Sequence, residues 1–360
     1  MAGQSGDNGE VKTLRLAVNP AQLERPEARA ALERAAEILR AGGLVALPTE
    51  TVYGLGANAL DAAAVAKIFA AKQRPSWDPV IVHIAGEATA ENAMLRAVVR
   101  EVPKAAQKLM KAFWPGPLTL LLPRTDAVPD AVTAGRPLVG VRMPAHPVAF
   151  ALIRAAGVPV AAPSANLFSY TSPTTAAHVL DDLDGRIDAI VDAGAAEHGV
   201  ESTVLDATQS PMVIYRPGAV TAEQIRAVAG AVEYFAEPVR EDAEPEALPS
   251  PGVGIRHYAP RARVVLVEAE EAELQDELRE AIAAHAGKHV GVMLPAEFTA
   301  PRGAVAFAWG HWARPDELAH ALYAGLRALD AEGCDVIVCP VPGADGIGAA
   351  LRDRLRKAAR

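Results

Sequence analysis

Residues 27–41 place Ala31, Leu32, Ala35, Ile38 and Leu39 at the spacing of one buried helix face, and the pattern stops at Gly42-Gly43, where glycine ends a helix at no steric cost. An apolar strand, Leu44 to Leu47, follows and breaks at Pro48. The polarity then changes abruptly, because residues 48–58, P-T-E-T-V-Y-G-L-G-A-N, set two threonine hydroxyls and a carboxylate directly after a strand. Gly54 and Gly56 are read as turn residues, since glycine reaches backbone angles closed to other side chains. Asp61 is placed to cap a helix striped by Val65, Ile68 and Phe69, which ends in Lys72-Gln73-Arg74-Pro75. Further strands are expected at 80–84, 118–122, 138–143, 158–162, 189–192, 202–206 and 212–216. A helical region covers 92–112, the rigid turn W-P-G-P starts at Trp114, and Thr221 with Gln224 forms a capping box for a last helix.

The pattern is lost between 237 and 260, where Pro238, Pro245, Pro249, Pro251 and Pro260 alternate with acids; this composition predicts a semi-rigid linker. Beyond it, apolar runs at 264–267, 290–294, 305–308 and 336–338 alternate with helical patterns over 272–284, 315–331 and 347–359. That alternation predicts a small parallel α/β domain. A length of 360 residues also exceeds what one core usually serves, so two domains are expected.

A hydrophobic content of 51% without an apolar run of membrane length predicts a soluble protein. The first dozen residues are polar and read as a solvated leader, neither signal peptide nor anchor. A net charge of −9 argues against a surface wholly devoted to nucleic acid. The two cysteines, Cys334 and Cys339, are expected as reduced core thiols, which fits a cytoplasmic protein. His285 and His289 are separated by Gly287, so a structural zinc site is not expected.

No phosphate-binding loop of the G-x-x-x-x-G-K-[ST] type occurs, and Gly54-x-Gly56 alone is weak evidence for a dinucleotide site. Lys72 and Arg74 fit two readings equally: phosphate-holding side chains, or cations at the negative end of a helix. Arg142 in V-G-V-R-M-P needs a partner for a charge among apolar neighbours, and that partner is either a ligand or a structural carboxylate. His83 in V-I-V-H-I reads as a core histidine or a ligand-facing one. Ser164, Asn166, Ser169, Thr171 and Ser172 crowd one loop, and Glu201-Ser202-Thr203 and Tyr215-Arg216-Pro217-Gly218 repeat polar groups at strand edges. Such strand-end groups converge in α/β crevices. No nucleophile elbow or Ser-His-Asp order supports acyl-enzyme chemistry.

Taken in order, P-T-E-T-V-Y-G-L-G-A-N, A-K-Q-R-P, W-P-G-P-L-T, V-R-M-P-A-H-P, A-P-S-A-N, E-S-T-V and Y-R-P-G resemble the threonylcarbamoyl-AMP synthase family (Sua5, YrdC, YwlC). S-P-G-V-G-I-R-H-Y-A-P at 250–260, followed by a small α/β domain, resembles the long Sua5 form. The resemblance implies an α/β fold in which a YrdC-like twisted mixed-sheet domain precedes a smaller Rossmann-like parallel Sua5 domain. In these terms residues 1–22 are a disordered or extended leader, 23–236 the catalytic domain, 237–261 a linker closing over the active site and 262–360 the C-terminal domain. It further implies that L-threonine, bicarbonate and ATP, with magnesium, give L-threonylcarbamoyl-AMP, pyrophosphate and water, and that a separate transferase uses the product to modify tRNA. Contact with tRNA would be slight.

By the same resemblance Thr51, His83, Arg142, Ala162 and Ser202 match threonine-binding positions, with Arg142 pairing the carboxylate. Arg74, Asp78, Leu138, Ser164, Ser172, Arg216 and Tyr258 match ATP positions, and Lys72 matches a lysine near phosphates and bicarbonate; Lys72 and Arg74 are the expected catalytic pair. Leu138 and Ala162 can offer only backbone or packing. Asp78 departs from the family, which commonly has Asn in this segment, and a carboxylate cannot donate as an amide does. Glu50 receives no role. Tyr258 is expected to help the linker close on ATP. Two other readings stand beside this one: an RNA-binding module using the tail cations Arg352, Arg354, Arg356, Lys357 and Arg360, which otherwise read as a solvated helix face, and a carbamoyltransferase sharing the YrdC-like module.

Overall fold

The computed structural model describes residues 12–236 and 257–360. The expected linker 237–261 therefore lies outside the described residues except for 257–261, as does the leader up to residue 11. Among the described residues eleven strands build one mixed sheet. They are β1 (Leu14–Ala17), β2 (Val45–Pro48), β3 (Tyr53–Asn58), β4 (Ile81–His83), β5 (Leu118–Pro123), β6 (Leu138–Arg142), β7 (Val160–Ala161), β8 (Ala189–Asp192), β9 (Thr203–Asp206), β10 (Met212–Arg216) and β11 (Val232–Tyr234). Their order across the sheet is β1-β8-β2-β3-β7-β4-β6-β5-β9-β10-β11.

The central strands are apolar throughout because both faces are covered. In β2, Ala46 faces one core with Val65 and Ile68, while Val45 and Leu47 face the other with Leu32, Leu39, Leu152 and Ile153. The helix Pro26–Arg40 turns Leu32, Ala35, Ala36 and Leu39 inward as its spacing predicts, and the Asp61 cap and the Thr221–Gln224 capping box both form. Leu14–Ala17, counted with the leader on sequence, pairs with β8 as an edge strand. Helices Pro147–Ala156 and Ala176–Leu183 occupy stretches read from sequence only as connections.

The glycine pair of the opening motif is not a turn. Gly54 and Gly56 lie inside β3, antiparallel to Leu47 and Val45 of β2. A Cβ on Gly56 would come within 2.9 Å of both Leu47 and Val160 side-chain carbons, so glycine is required there for close packing between strands. The turn itself is Thr49–Val52, tied by the Thr49 hydroxyl, which donates to the Val52 carbonyl at 2.6 Å.

The second sheet is all parallel, as expected: β12 (Arg263–Val267), β13 (Val290–Pro295), β14 (Ala304–Gly310) and β15 (Val336–Pro340), in the order β12-β15-β13-β14. Alternation along β15 sends Val336 and Val338 to Leu274, Leu278 and Ile282 of one helix, and Ile337 and Cys339 to Leu322, Leu326, Leu351 and Leu355 of two others. Cys339 and Cys334 are buried free thiols, although Cys334 precedes the strand. The second core does not stop at the domain boundary, since Val52, Val200 and Tyr258 belong to it. The final helix, Gly348–Ala359, is a solvated cationic face only in part: Arg356 and Arg360 are exposed, Arg354 and Lys357 are buried, and Arg352 and Arg356 pair with Glu268. Its apolar stripe meets the sheet, so Arg354 and Lys357 are drawn into the interface.

Candidate active site

A small cavity opens where β4, β6, β7 and β9 end or begin. Its wall carries Thr51, Arg74, His83, Arg142, Ala162, Ser164, Ser202, Arg216 and Tyr258 from the sequence-derived set. Lys72, Asp78, Leu138 and Ser172 are not on this wall. They stand behind it, each in contact with an element that is.

One end is built on the parallel pairing of β4 and β6, which sets His83 opposite Arg142. The Arg142 guanidinium donates to the Gly116 carbonyl at 3.2 Å and to Thr51 Oγ1 at 2.8 Å, and its remaining nitrogen lies 2.6 Å from Glu50 Oε1. Thr49 commits its proton to Val52, so Thr51 donates to Thr49 across 2.8 Å and its oxygen is free to accept from Arg142. Arg142 is thus aimed by the opening turn. Burial raises the Glu50 carboxyl, but Arg142 and a backbone hydrogen bond at Ala145 outweigh it and hold the group below its ordinary value. Burial, with Arg142 nearby, pushes His83 down to about 3, so the imidazole is neutral at neutral pH. Its Nδ1 is buried and has no hydrogen-bond partner among the described residues.

The other end is cationic. Arg74 follows a left-handed Gln73 that stops the helix Ala62–Lys72, and donates to the carbonyls of Asp78 at 3.1 Å and Pro79 at 2.7 Å. The Asp78 carboxylate stands 2.9 Å from the same guanidinium. Burial nevertheless raises the Asp78 pKa, against the pull of Arg74. The departure from Asn therefore supplies Arg74 with a buried counter-charge. Lys72 points its amine at the Ser164 carbonyl, 2.6 Å away, and at Asn166, clamping the loop that bears Ser164. Burial, with Arg74 beside it, lowers its pKa well below the ordinary value. Arg216 donates to the Ser202 carbonyl at 3.1 Å and hydroxyl at 3.2 Å. Leu138 packs with Ile81 under the wall.

Eight further wall residues were given no role from sequence: Thr49, Val52, Gly54, Val80, Ile81, Pro163, Glu201 and His257. Thr49 and Glu201 sit inside quoted motifs, P-T-E-T-V and E-S-T-V, beside residues that were assigned, so the signal was present. Burial, with Arg74 near, lowers the His257 pKa well below its usual value. The Tyr258 phenol, pushed to about 12 by burial and then by Glu201, is buried with no hydrogen-bond partner among the described residues.

A family model described as "Telomere recombination" matches residues 37–218, and one described as "Threonylcarbamoyl-AMP synthase, C-terminal domain" matches residues 220–360. The threonylcarbamoyl-AMP synthase of Pyrococcus abyssi is 43% identical over 326 residues, covering 90% of this chain and 92% of that protein. The Bacillus subtilis protein of the same name is 44% identical over 330 residues, with coverages of 91% and 92%. The crystal structure of P. abyssi Sua5 complexed with L-threonine superposes with a TM-score of 0.87 at 40% identity, covering 96% of this chain and 98% of that one.

Proposed function

Because the chain belongs to the threonylcarbamoyl-AMP synthase family across nearly its whole length, we propose that it joins L-threonine, bicarbonate and ATP into L-threonylcarbamoyl-AMP, releasing pyrophosphate and water. The observation that carries this is that one cavity is lined by three arginines, Arg142 beside His83 and Thr51, and Arg74 and Arg216 beside Ser164 and Ser202.

In this reading Arg142 receives the threonine carboxylate, while Thr51, His83, Ala162 and Ser202 bound the amino acid. The threonine amine attacks the carbon of bicarbonate with expulsion of water, or of carbon dioxide with loss of an amine proton, to give a carbamate. A carbamate oxygen attacks the α-phosphorus of ATP and the bond to pyrophosphate breaks, so no protein nucleophile is used. Arg74, Arg216, Ser164 and Tyr258 hold the nucleotide, which enters with magnesium as part of the substrate. Lys72, Asp78, Leu138 and Ser172 act from behind: Lys72 fixes the Ser164 loop, Asp78 aims Arg74, Leu138 packs under the wall, and Ser172 bonds to Glu201. Alignment of reactants supplies about 7 to 11 kcal/mol in favourable cases and one positioned charged donor about 3 to 4. A site made of arginines and hydroxyls is sufficient for that chemistry.

The product passes to a separate tRNA-modifying transferase in the cytoplasm. Among the described residues no helix is long and apolar enough to cross a membrane. The RNA-binding reading loses its main support, because the tail cations Arg354 and Lys357 are buried. The test supplies purified protein with ATP, magnesium, bicarbonate and individual amino acids, following pyrophosphate release and the adenylate by mass spectrometry. Turnover should require threonine and bicarbonate together; turnover indifferent to both overturns the proposal.

A further inference from the structure

Glu201 lies on the wall of a cavity that, on the reading above, receives a triphosphate. A negative charge there opposes the ligand unless it is neutralised. Arg216 of the catalytic domain supplies part of the counter-charge, but the larger share and the direct ion pair come from the second domain. Arg354 Nε donates to Glu201 Oε2 at 2.7 Å, and the Tyr323 hydroxyl contacts the same oxygen at 2.8 Å. From the catalytic domain the Ser172 hydroxyl donates to Oε1 at 2.5 Å. The Arg354 side chain has 0% exposure and Glu201 7%, so this is an interior contact. Arg354 also donates to the Pro217 carbonyl at 3.0 Å, next to Arg216. Its guanidinium lies 5.1 Å from the Tyr258 ring centroid, and Tyr323 stacks on that ring at 5.8 Å.

We propose that Arg354 and Tyr323 are positioning residues for the nucleotide: by neutralising Glu201 and holding Ser172 and Tyr258, they make ATP binding depend on docking of the C-terminal domain. The threonine end is held differently. Arg142 donates to Thr51 and Gly116 and pairs with Glu50, all within the catalytic domain. Damage to Arg354 should therefore separate the two substrates. A merely structural role would weaken both.

The proposal rests on the synthase reading, so its test uses binding instead of turnover. Calorimetry on the full chain without bicarbonate measures ATP with magnesium, and separately L-threonine. Arg354→Met should weaken ATP by at least about tenfold and threonine by less than about threefold. Arg354→Lys, which keeps the charge, should lose less than about threefold for ATP. The double variant Glu201→Gln, Arg354→Met removes both charges and should bind ATP within about threefold of Glu201→Gln alone. Because Arg354→Met strands a buried carboxylate, Tyr323→Phe serves as a milder probe, expected to weaken ATP about two- to fivefold. Equal losses for both ligands, unchanged ATP affinity in Arg354→Met and Tyr323→Phe, or a double variant still about tenfold weaker than Glu201→Gln alone, overturns the proposal. Failure of the wild-type protein to bind ATP or threonine would instead refute the functional reading.

Discussion

Glu50→Gln tests how the threonine end is built. Glu50 and Arg142 are 3% and 4% exposed and 2.6 Å apart. Removing one charge of such a buried pair costs about 3 to 5 kcal/mol. Gln keeps an acceptor oxygen, so the lower end applies; at 2 to 4 °C per kcal/mol for a unit of this size, the melting temperature should fall by about 6 to 12 °C. The loss should depend on pH in a definite sense. The folded Glu50 pKa lies below the unfolded value of 4.5, so its contribution is complete above that value and disappears as pH falls through the folded one. Variant and wild type should converge in acid. The second half of the prediction is specific to the ligand: with Glu50 neutral, a bound carboxylate restores the counter-charge of Arg142. L-threonine at one fixed concentration should then raise the melting temperature of the variant more than that of the wild type, with D-threonine as control. Scanning calorimetry reads both effects. A variant melting within about 2 °C of wild type, or an equal threonine shift, would refute the reasoning.

Arg74→Lys removes a guanidinium that contacts two carbonyls and Asp78 at once; steady-state kinetics should show kcat/KM for ATP falling by about 10²- to 10³-fold, with threonine affinity nearly unchanged. Gly56→Val places carbon within 2.9 Å of Leu47 and Val160, and chemical denaturation should report a loss of about 1 to 3 kcal/mol. Tyr258→Phe deletes a buried hydroxyl that has no partner among the described residues. Thermal stability should hold or rise, while calorimetry shows weaker ATP binding; a fall of several degrees would mean that the hydroxyl is satisfied in the protein.

The double-sided burial of the central strands made them legible, because a strand covered on both faces reads as a continuous apolar run. Edge strands carry no such signal: Leu14 in β1 is 39% exposed, and Tyr234 in β11 is 51% exposed. β3 was misread because glycine has two uses, and Gly56 serves close packing, where a turn was expected. At the site, motifs gave the residue types and most of the wall, but not who pairs with whom. Asp78 looked like a defective amide, and only the fold shows it against Arg74. Glu201 and Arg354 are 153 positions apart, beyond any local spacing rule, and Arg354 looked like one more charge on a solvated tail.

These pairings explain how a chain of net charge −9 can present a site for anions. A guanidinium has five N–H donors in a fixed fork. Arg142 spends one on Gly116 and one on Thr51 and turns a third to Glu50, which leaves one N–H on each terminal nitrogen without a bond among the described residues. Arg74 is tethered through Nε and Nη2, leaving Nη1 with no bond among the described residues. Protein groups therefore fix the orientation of each fork from behind, and the donors facing the cavity meet the ligand without a search through rotamers. Lysine cannot divide its donors in this way, because a single nitrogen must serve both sides. Lys72 illustrates the limit: its one nitrogen is bonded to Ser164 and Asn166.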